Sequence, residues 1–478
     1  MAKKEENLME KIVNLCKRRG FIIPSSEIYG GFSATYDFGP IGAILKNNLK
    51  EAWWNLMVRD QADVVGLDGA IICHPRTWEA SGHVESFSDP LVEDKKTHER
   101  LRADHIIEDY CEENKIDQKE LSKKILGEYK DVCELTIEEM GRILSEEKIK
   151  SPKGNELTLP KVFNLLVEAR LGATEQTKQS VYLRGETCQV IFLQYKNIME
   201  TMRMKLPFGV AQMGKVFRNE ITTKQFVLRM REFEQMEFEY FVSPKDSFEA
   251  YEKWEKFFVE KFLVEILNIS KKDIRLREIP EAEMSHYCKK QKDFEIKMAN
   301  GRWLECSPMN HRGDWDLSRH GKYSKKDFTY KDEKTGTSFV PNVIETSFGV
   351  ERLIYIMFEK FYKEEKLKNK EIRTVLCLPK RLAPIKIAIM PLFKKKELLK
   401  LSNKIWDNLR TKYMTEHDIT QSIGKRYRRQ DEIGTPYCVT IDFESLEDGK
   451  VTVRDRDTME QKRVEIEKLE EYFNGKFN

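Results

Sequence analysis

Nine cysteines are scattered from Cys16 to Cys438 and no two of them form a Cys-x-x-Cys pair, which argues against a disulfide framework and against a structural zinc site. A reducing cytoplasm is the expected setting. No apolar run has membrane-spanning length, and no signal-peptide stretch follows the lysine- and glutamate-rich start from Met1 to Asn7. Internal repeats, low-complexity tracts and a Walker-type lysine motif are all missing, so the other common phosphate loops are not expected. Charge of one sign is missing too: the net charge is only +3, so any nucleic-acid surface has to be a local patch.

What is present is 478 residues, 40% hydrophobic and 34% charged, enough for a large core and two or three globular domains. One stretch, Tyr182 to Phe241, organises the rest. From Val227 to Glu237 it alternates with a period of two, placing Arg229, Arg231, Phe233, Gln235 and Glu237 on one strand face. Leu228, Met230, Met236, Phe238 and Tyr240 fall on the other. A face reading cation, aromatic, carboxylate suits a ligand with phosphates, a flat base and an ammonium. Pro207 to Glu220 reads as the partner strand of a long antiparallel hairpin closed at Thr222-Thr223-Lys224-Gln225. An exposed sheet with cross-strand ion pairs would give the same pattern.

Phe217-Arg218-Asn219-Glu220, followed by Arg229 and Phe233, resembles the second signature motif of class II aminoacyl-tRNA synthetases. Arg184-Gly185-Glu186-Thr187 and Phe233-Glu234-Gln235-Met236-Glu237 resemble the dimeric glycyl-tRNA synthetase family. The resemblance implies ATP-dependent activation of glycine to glycyl-adenylate and transfer to the 3′ end of tRNA(Gly) by a cytoplasmic homodimer, with magnesium sharing the phosphate charge. The magnesium ligands stay open, with Glu305 and Glu345 as the two candidates and nothing in the sequence deciding between metal and substrate contact. A catalytically silent RNA-binding relative and an enzyme of another specificity are the rival readings; intact Arg218, Phe233, Glu345 and Arg352 speak against the first.

Carried over position by position, the resemblance implies Arg218 and Arg352 as catalytic. The ATP site would comprise Arg218, Asn219, Glu220, Leu228, Arg229, Met230, Arg231, Glu232, Phe233, Glu305, Cys306, Arg312, Gly349, Val350, Glu351 and Arg352. The glycine site would comprise Arg102, Glu186, Phe233, Glu234, Gln235, Met236, Glu237, Glu345, Thr346, Ser347, Phe348 and Gly349. Arg102 or Arg184 is expected to offset the clustered carboxylates, which otherwise raise one another's pKa. His83 is read as a structural or substrate-neighbouring residue, since a carboxylate nucleophile needs no base.

In chain order, Met1 to Arg19 reads as a surface helix, Ile41 to Arg59 as a helix and Val64 to Cys73 as a buried strand, the last two matching motif 1. Ile106 to Leu171 is charged and reads as an insertion outside the catalytic sheet. Ser243 to Asn300 reads as a second one, opened by a helix whose aromatic stripe is core. Pro308 puts the geometry of the strand after Glu305 in doubt. Cys188-Gln189-Val190 departs from the family's small residues around that glutamine. Val343 to Ser347, Gly349 and the following helix resemble motif 3, where Arg352 and a helix N-terminus favour phosphate.

Leu367 to Lys370 is charged, and from Arg381 the pattern reads strand (Ile385 to Met390), helix (Lys395 to Arg410), strand (Ile419 to Ile423), helix, strand (Tyr437 to Phe443) and final helix. The expected fold is α+β: an antiparallel-sheet class II catalytic domain over 1–366 with insertions at 106–171 and 243–300, a linker at 367–380, and an α/β anticodon-binding domain over 381–478. The run Lys425, Arg426, Arg428 and Arg429 with Tyr427 inside it is the expected tRNA contact.

Overall fold

The computed structural model describes residues 7–174, 179–220, 226–281, 283–367 and 370–477. Its centre is a seven-stranded sheet of β1 (Val64–Leu67), β2 (Phe208–Phe217), β3 (Glu232–Val242), β4 (Ile274–Glu278), β5 (Lys290–Lys297), β6 (Trp303–Gly313) and β7 (Asn342–Gly349). The order is β4-β5-β6-β7-β3-β2-β1, antiparallel except where β1 runs parallel to β2. β2 and β3 form the expected hairpin, in register from Phe208 opposite Phe241 to Phe217 opposite Glu232. Its expected turn, Thr222 to Gln225, lies outside the described residues.

Alternation fails at the start of β3. Phe226–Leu228 is a 3₁₀ turn and the strand begins only at Glu232: the Arg231 carbonyl still accepts from the Arg218 amide in hairpin register, but the Arg231 amide leaves the ladder for Ala34 O. Arg229 and Arg231 therefore do not share the strand face of Phe233. From Glu232 onward the two faces separate as expected, with Met236, Phe238 and Tyr240 in the main core.

That core is roofed by helices. α1 (Leu8–Arg19) buries Ile12, Leu15 and Cys16, so the N-terminal helix is a packed element and not a surface one. α2 (Pro40–Trp54) starts on a proline, which lacks only a donor the first turn does not use. The expected strand from Val64 to Cys73 divides: β1 joins the main sheet, and Ile72–Cys73 pairs with Gln179–Leu183 in another. α3 (Ala103–Asn114), α4 (Gln118–Leu126) and α5 (Ile137–Glu146) bury a separate cluster including Ile107, Leu121 and Ile143. Asp117 caps α4, and a Thr136–Glu139 capping box starts α5.

α6 (Cys188–Thr201) lies behind the sheet with Ile191, Phe192 and Tyr195 buried. α7 (Ser247–Phe257) continues as wider π-turns to Ile266, and its Trp254 and Phe258 pack on Phe238. Within the stretch 243–300 the helix's aromatic stripe is core, as expected, and β4 and β5 extend the sheet edge. α8 (Trp315–Ser324) follows β6, and α9 (Val350–Phe361) follows β7. Pro308 is accommodated because β6 pairs with β7 only from Met309. Before that point its one strand partner is β5.

Tyr362–Lys366 and Ile372–Leu376 pair as a hairpin, so the expected linker is an ordered strand over part of its length. Beyond it, β8 (Ile387–Pro391), α10 (Lys396–Leu409), β9 (Thr415–His417), α11 (Ile423–Ile433), β10 (Tyr437–Ile441), β11 (Lys450–Asp455) and β12 (Gln461–Glu465) build a second sheet in the order β9-β8-β10-β11-β12. The strand expected at Ile419 to Ile423 lies earlier, at β9, and Ile423 instead opens α11.

Candidate active site

Where β3 and β7 run side by side, Gln235 stands opposite Gly349, Glu237 opposite Ser347 and Glu239 opposite Glu345. Residues two apart share a face. Phe233, Gln235 and Glu237 thus line one wall, and Glu345, Ser347 and Gly349 the next, of a cavity of about 280 Å³. The stretch of β6 before its ladder with β7 supplies Glu305, Cys306 and Pro308 to the same cavity, and the coil ahead of β3 supplies Leu228, Arg229 and Met230.

One end is cationic. Arg218 follows β2, donates from Nε to Gly185 O at 3.1 Å, and lies between the rings of Phe87 and Phe233 at 5.1 and 5.4 Å. Such flanking holds a guanidinium by its flat faces and leaves the remaining edge free for an anion. Arg352, in the first turn of α9, donates to Glu305 O at 3.2 Å and to Glu305 Oε1 at 3.3 Å. Arg229 stands 3.6 Å from Glu220 Oε2. Three arginines and the start of a helix make this end attractive to phosphates.

The other end is anionic. Glu237 is 1% exposed; its Oε2 accepts from Thr187 Oγ1 at 2.6 Å and Ser347 Oγ at 3.1 Å, while Oε1 has no partner. Glu345 Oε2 accepts from Asn310 Nδ2 and Arg312 Nη1, both at 2.8 Å. Glu186 Oε1 accepts from Gln189 Nε2 at 2.9 Å and lies 3.2 Å from His83 Nε2. Arg312 is the cation that offsets this cluster. It is 3% exposed, gripped by Asp316 at 2.7 and 2.9 Å, and sits 4.0 Å over the Tyr287 ring.

Burial and the Glu345 charge push the Glu237 carboxyl well above the usual carboxylate range, against the Thr187 and Ser347 hydrogen bonds. At Glu345 burial also raises the pKa, and Arg312 opposes it. Glu186 goes the other way: burial works against its charge, but His83, Arg312 and the Cys188 thiol hold it below the usual range.

Several expected site residues stand elsewhere. Arg312 is not at the phosphate end but locked beneath the carboxylates. Arg102 is spent on Asp89 at 2.8 Å and on Asp104, and Arg184 on the carbonyls of Gly69 and Lys215, both at 2.7 Å. Arg184 also explains Gly214, where an added Cβ would lie 2.0 Å from its Nη2. Glu234 and Met236 face away from the cavity: Glu234 pairs with Lys46 at 2.9 Å and Lys50 at 2.7 Å, and Met236 is core. Thr346 hydrogen-bonds Pro308 O on the far side of β7, and Phe348 and Val350 are core. Arg231 packs on Phe32, and Glu232 pairs with Lys215. The Asn219 amide is used by Leu165 O. Glu351 lines the cavity but is neutralised by Lys46 at 2.6 Å.

Residues 168–361 match the model of the tRNA synthetase class II core domain (G, H, P, S and T), and residues 386–476 that of the anticodon binding domain. The glycine–tRNA ligase of Staphylococcus aureus (strain JH9) is 45% identical over 98% of each chain. That of Alkaliphilus oremlandii (strain OhILAs) is 44% identical over 98% of this chain and 99% of its own. The chain belongs to the glycine–tRNA ligase family. Every wall of the cavity described above lies inside the class II core match, and no helix among the described residues is long and apolar enough to cross a membrane.

Sequence reasoning missed Thr187, Tyr287 and Asn310 among the residues gathered at the carboxylate end. Thr187 was within reach, since it directly follows Glu186 in a quoted motif. Tyr287 has no local signal: a loop carries it over Arg312 from a distant part of the chain.

In the anticodon-type domain the basic run is mostly structural. Arg426 is 3% exposed and donates to Pro391 O and Asp418 O at 2.7 and 3.1 Å. Arg429 clamps Asp418, Arg428 pairs with Glu371, and Tyr427 is tied to Thr440 at 2.6 Å. Only Lys425 of the expected four basic residues stands clear on the surface without an ion pair among the described residues.

Proposed function

We infer that the protein activates glycine with ATP and transfers it to the 3′ end of tRNA(Gly). The carrying observation is one cavity with arginines at one end, a phenylalanine along its wall and carboxylates at the other end. Glycine's carboxylate, already an anion, attacks the α-phosphorus and diphosphate leaves; the terminal adenosine hydroxyl of tRNA then takes the glycyl group and AMP is released. Arg218 stabilises the charge that builds on the α-phosphate, Phe233 stacks on adenine, and Arg352 holds the far phosphates. Glu186, Glu237 and Glu345 receive the ammonium. Glycine has no side chain to grip, so selectivity comes from this charge match plus a filled space where a larger side chain would go.

Magnesium fits the phosphate end. Glu305 presents a half-exposed carboxylate oxygen beside Arg352, the hard donor that ion prefers, and the bound metal would neutralise phosphate charge. A homodimer agrees with the exposed Ile28, Tyr29 and Phe32, an apolar surface suited to a second copy. A cytoplasmic home agrees with the described cysteines all being free thiols.

For RNA, the support moves from the basic run to Phe393 and Phe443, both exposed and stacked 5.7 Å apart at the ends of β8 and β10, beside Lys394, Lys395 and Lys396. Arg426 holds the loop that carries Phe393. An aromatic platform with adjacent cations suits unpaired bases. Charging of tRNA(Gly) with labelled glycine tests the whole reading: accumulation of glycyl-tRNA supports it, and ATP consumption without any glycyl-tRNA overturns the transfer step.

A further inference from the structure

One buried acid is used by nothing in the reaction above. Glu239 is the next residue beyond Glu237 on the cavity face of β3, is fully buried, and neither of its carboxyl oxygens has a hydrogen-bond partner among the described residues. Directly across the strand pair stands Glu345. Carboxyl oxygens of Glu239 and Glu345 and the Cys188 sulfur all lie within 4.8 Å of one another. Two like charges face to face in a dry enclosure repel strongly, and the one cation nearby, Arg312, is already bonded to Glu345 and Asp316.

We propose that Glu239 is held as a neutral carboxylic acid beneath the glycine pocket, a positioning residue that, once glycine is bound, leaves the negative charge on the carboxylates facing its ammonium. Most of the charges around it favour this state. Glu237 lies two residues away on its own strand, Glu345 on β7, Asp316 on α8, and Glu186 beside the Cys188 thiol; Arg312 on β6 opposes it. Burial first, then Glu345 and Glu237, push its carboxyl well above the usual range.

The alternative occupant of the triangle is a metal ion bound by Cys188, Glu239 and Glu345. The Cys188 thiol opposes that: burial and Glu186 keep it protonated, and its Sγ lies 2.9 Å from Glu186 Oε1 as a donor. A metal needs the thiolate. The role in glycine recognition rests on the function proposed above, whereas the protonation state does not.

The test uses the full chain and its Glu239→Gln variant. Infrared difference spectra at neutral pH should show a protonated-carboxyl band in the parent that the variant lacks. In glycine-dependent pyrophosphate exchange the variant's KM for glycine should stay within about threefold, because an amide keeps the neutral shape. Its Tm should gain on the parent as pH rises above the ordinary glutamate value: the folded Glu239 holds a proton that the unfolded chain releases, so the parent carries a loss of stability with pH that the variant lacks at this position. A missing band in the parent, a tenfold or greater rise in KM, or a bound metal present in the parent and lost in the variant would each overturn the proposal. If the variant does not fold, Glu237→Gln, which keeps Glu239, decides: a protonated-carboxyl band that survives in it at neutral pH supports the proposal, and no such band overturns it. No glycine-dependent exchange in the parent, with the band present, would sink the activity and leave the protonation state standing.

Discussion

At the scale of single residues, the account divides the cavity into an end that senses phosphate and an end that senses ammonium, and two substitutions separate them. Arg218→Ala should lower adenylate formation by at least 100- to 1,000-fold, since a positioned charge-stabilising donor is worth about 3–4 kcal/mol, while tRNA binding stays near the parent level in a filter assay. Glu237→Gln should raise the KM for glycine by tens-fold and leave that for ATP nearly unchanged, because losing one partner of a desolvated charge pair costs roughly 2–5 kcal/mol. Glu237 also sets a pH dependence. Its carboxyl is raised when the pocket is empty, so an incoming ammonium displaces a proton, and glycine affinity should rise with pH until Glu237 is ionised in the free enzyme. Calorimetry in buffers of different ionisation enthalpy reads this as proton release on binding; proton uptake would contradict it. His311 titrates with the opposite consequence for stability. Burial pushes it down to about 4 from an ordinary ~6.5, so the native chain keeps it neutral while the unfolded chain takes up a proton. Its contribution of up to about 3 kcal/mol is present above the ordinary value and lost as pH falls from there to the folded value. Denaturant midpoints across that window should show the loss in the parent and lack it in His311→Gln.

At the scale of elements, the sequence reported strand faces well and strand ends poorly. Phe233, Gln235 and Glu237 were readable as one face because a half-buried strand must alternate, whereas Arg229 and Arg231 continued the same letters without the strand. What stopped it was the Arg231 amide leaving the hairpin for Ala34 O, a tertiary contact that no local pattern carries. The same holds for α11. A lysine- and arginine-rich helix with a tyrosine reads as an RNA surface, yet Arg426 and Arg429 are consumed by Pro391, Asp418 and Thr420, because they tie the helix to neighbouring strand ends. Replacing Phe393 and Phe443 together by alanine should therefore weaken tRNA affinity more than replacing Lys425 and Arg428 together. A stacked base is worth about 1–3 kcal/mol, and the second change should mainly flatten the salt dependence of binding. Gel shifts at two salt concentrations distinguish the two variants; equal losses would return the RNA contact to the helix.

At the scale of the whole molecule, the two domains are less separable than their sequence patterns suggest. Arg373 on the hairpin after α9 is bonded to Asp431 of α11 at 2.7 and 2.8 Å, and α1 reaches the same helix through Arg18 to Glu432 at 3.0 Å. Leu382, Ile385 and Ile433 belong to the main core. A chain ending near Lys380 would expose that core and leave Arg373 without its partner, a loss of about 3–5 kcal/mol for one half of a buried pair. It should unfold at markedly lower denaturant concentration than the full chain, and a truncated chain of undiminished stability would show the domains to be independent. The central claim is that a single cavity selects glycine by charge and excluded volume. Glycine-dependent exchange of pyrophosphate into ATP by the full chain, run beside alanine, serine and the other amino acids, tests it most directly. Exchange should be strong with glycine and at least tens-fold weaker with alanine and serine, and exchange that is equal among them, or absent with glycine, would contradict it.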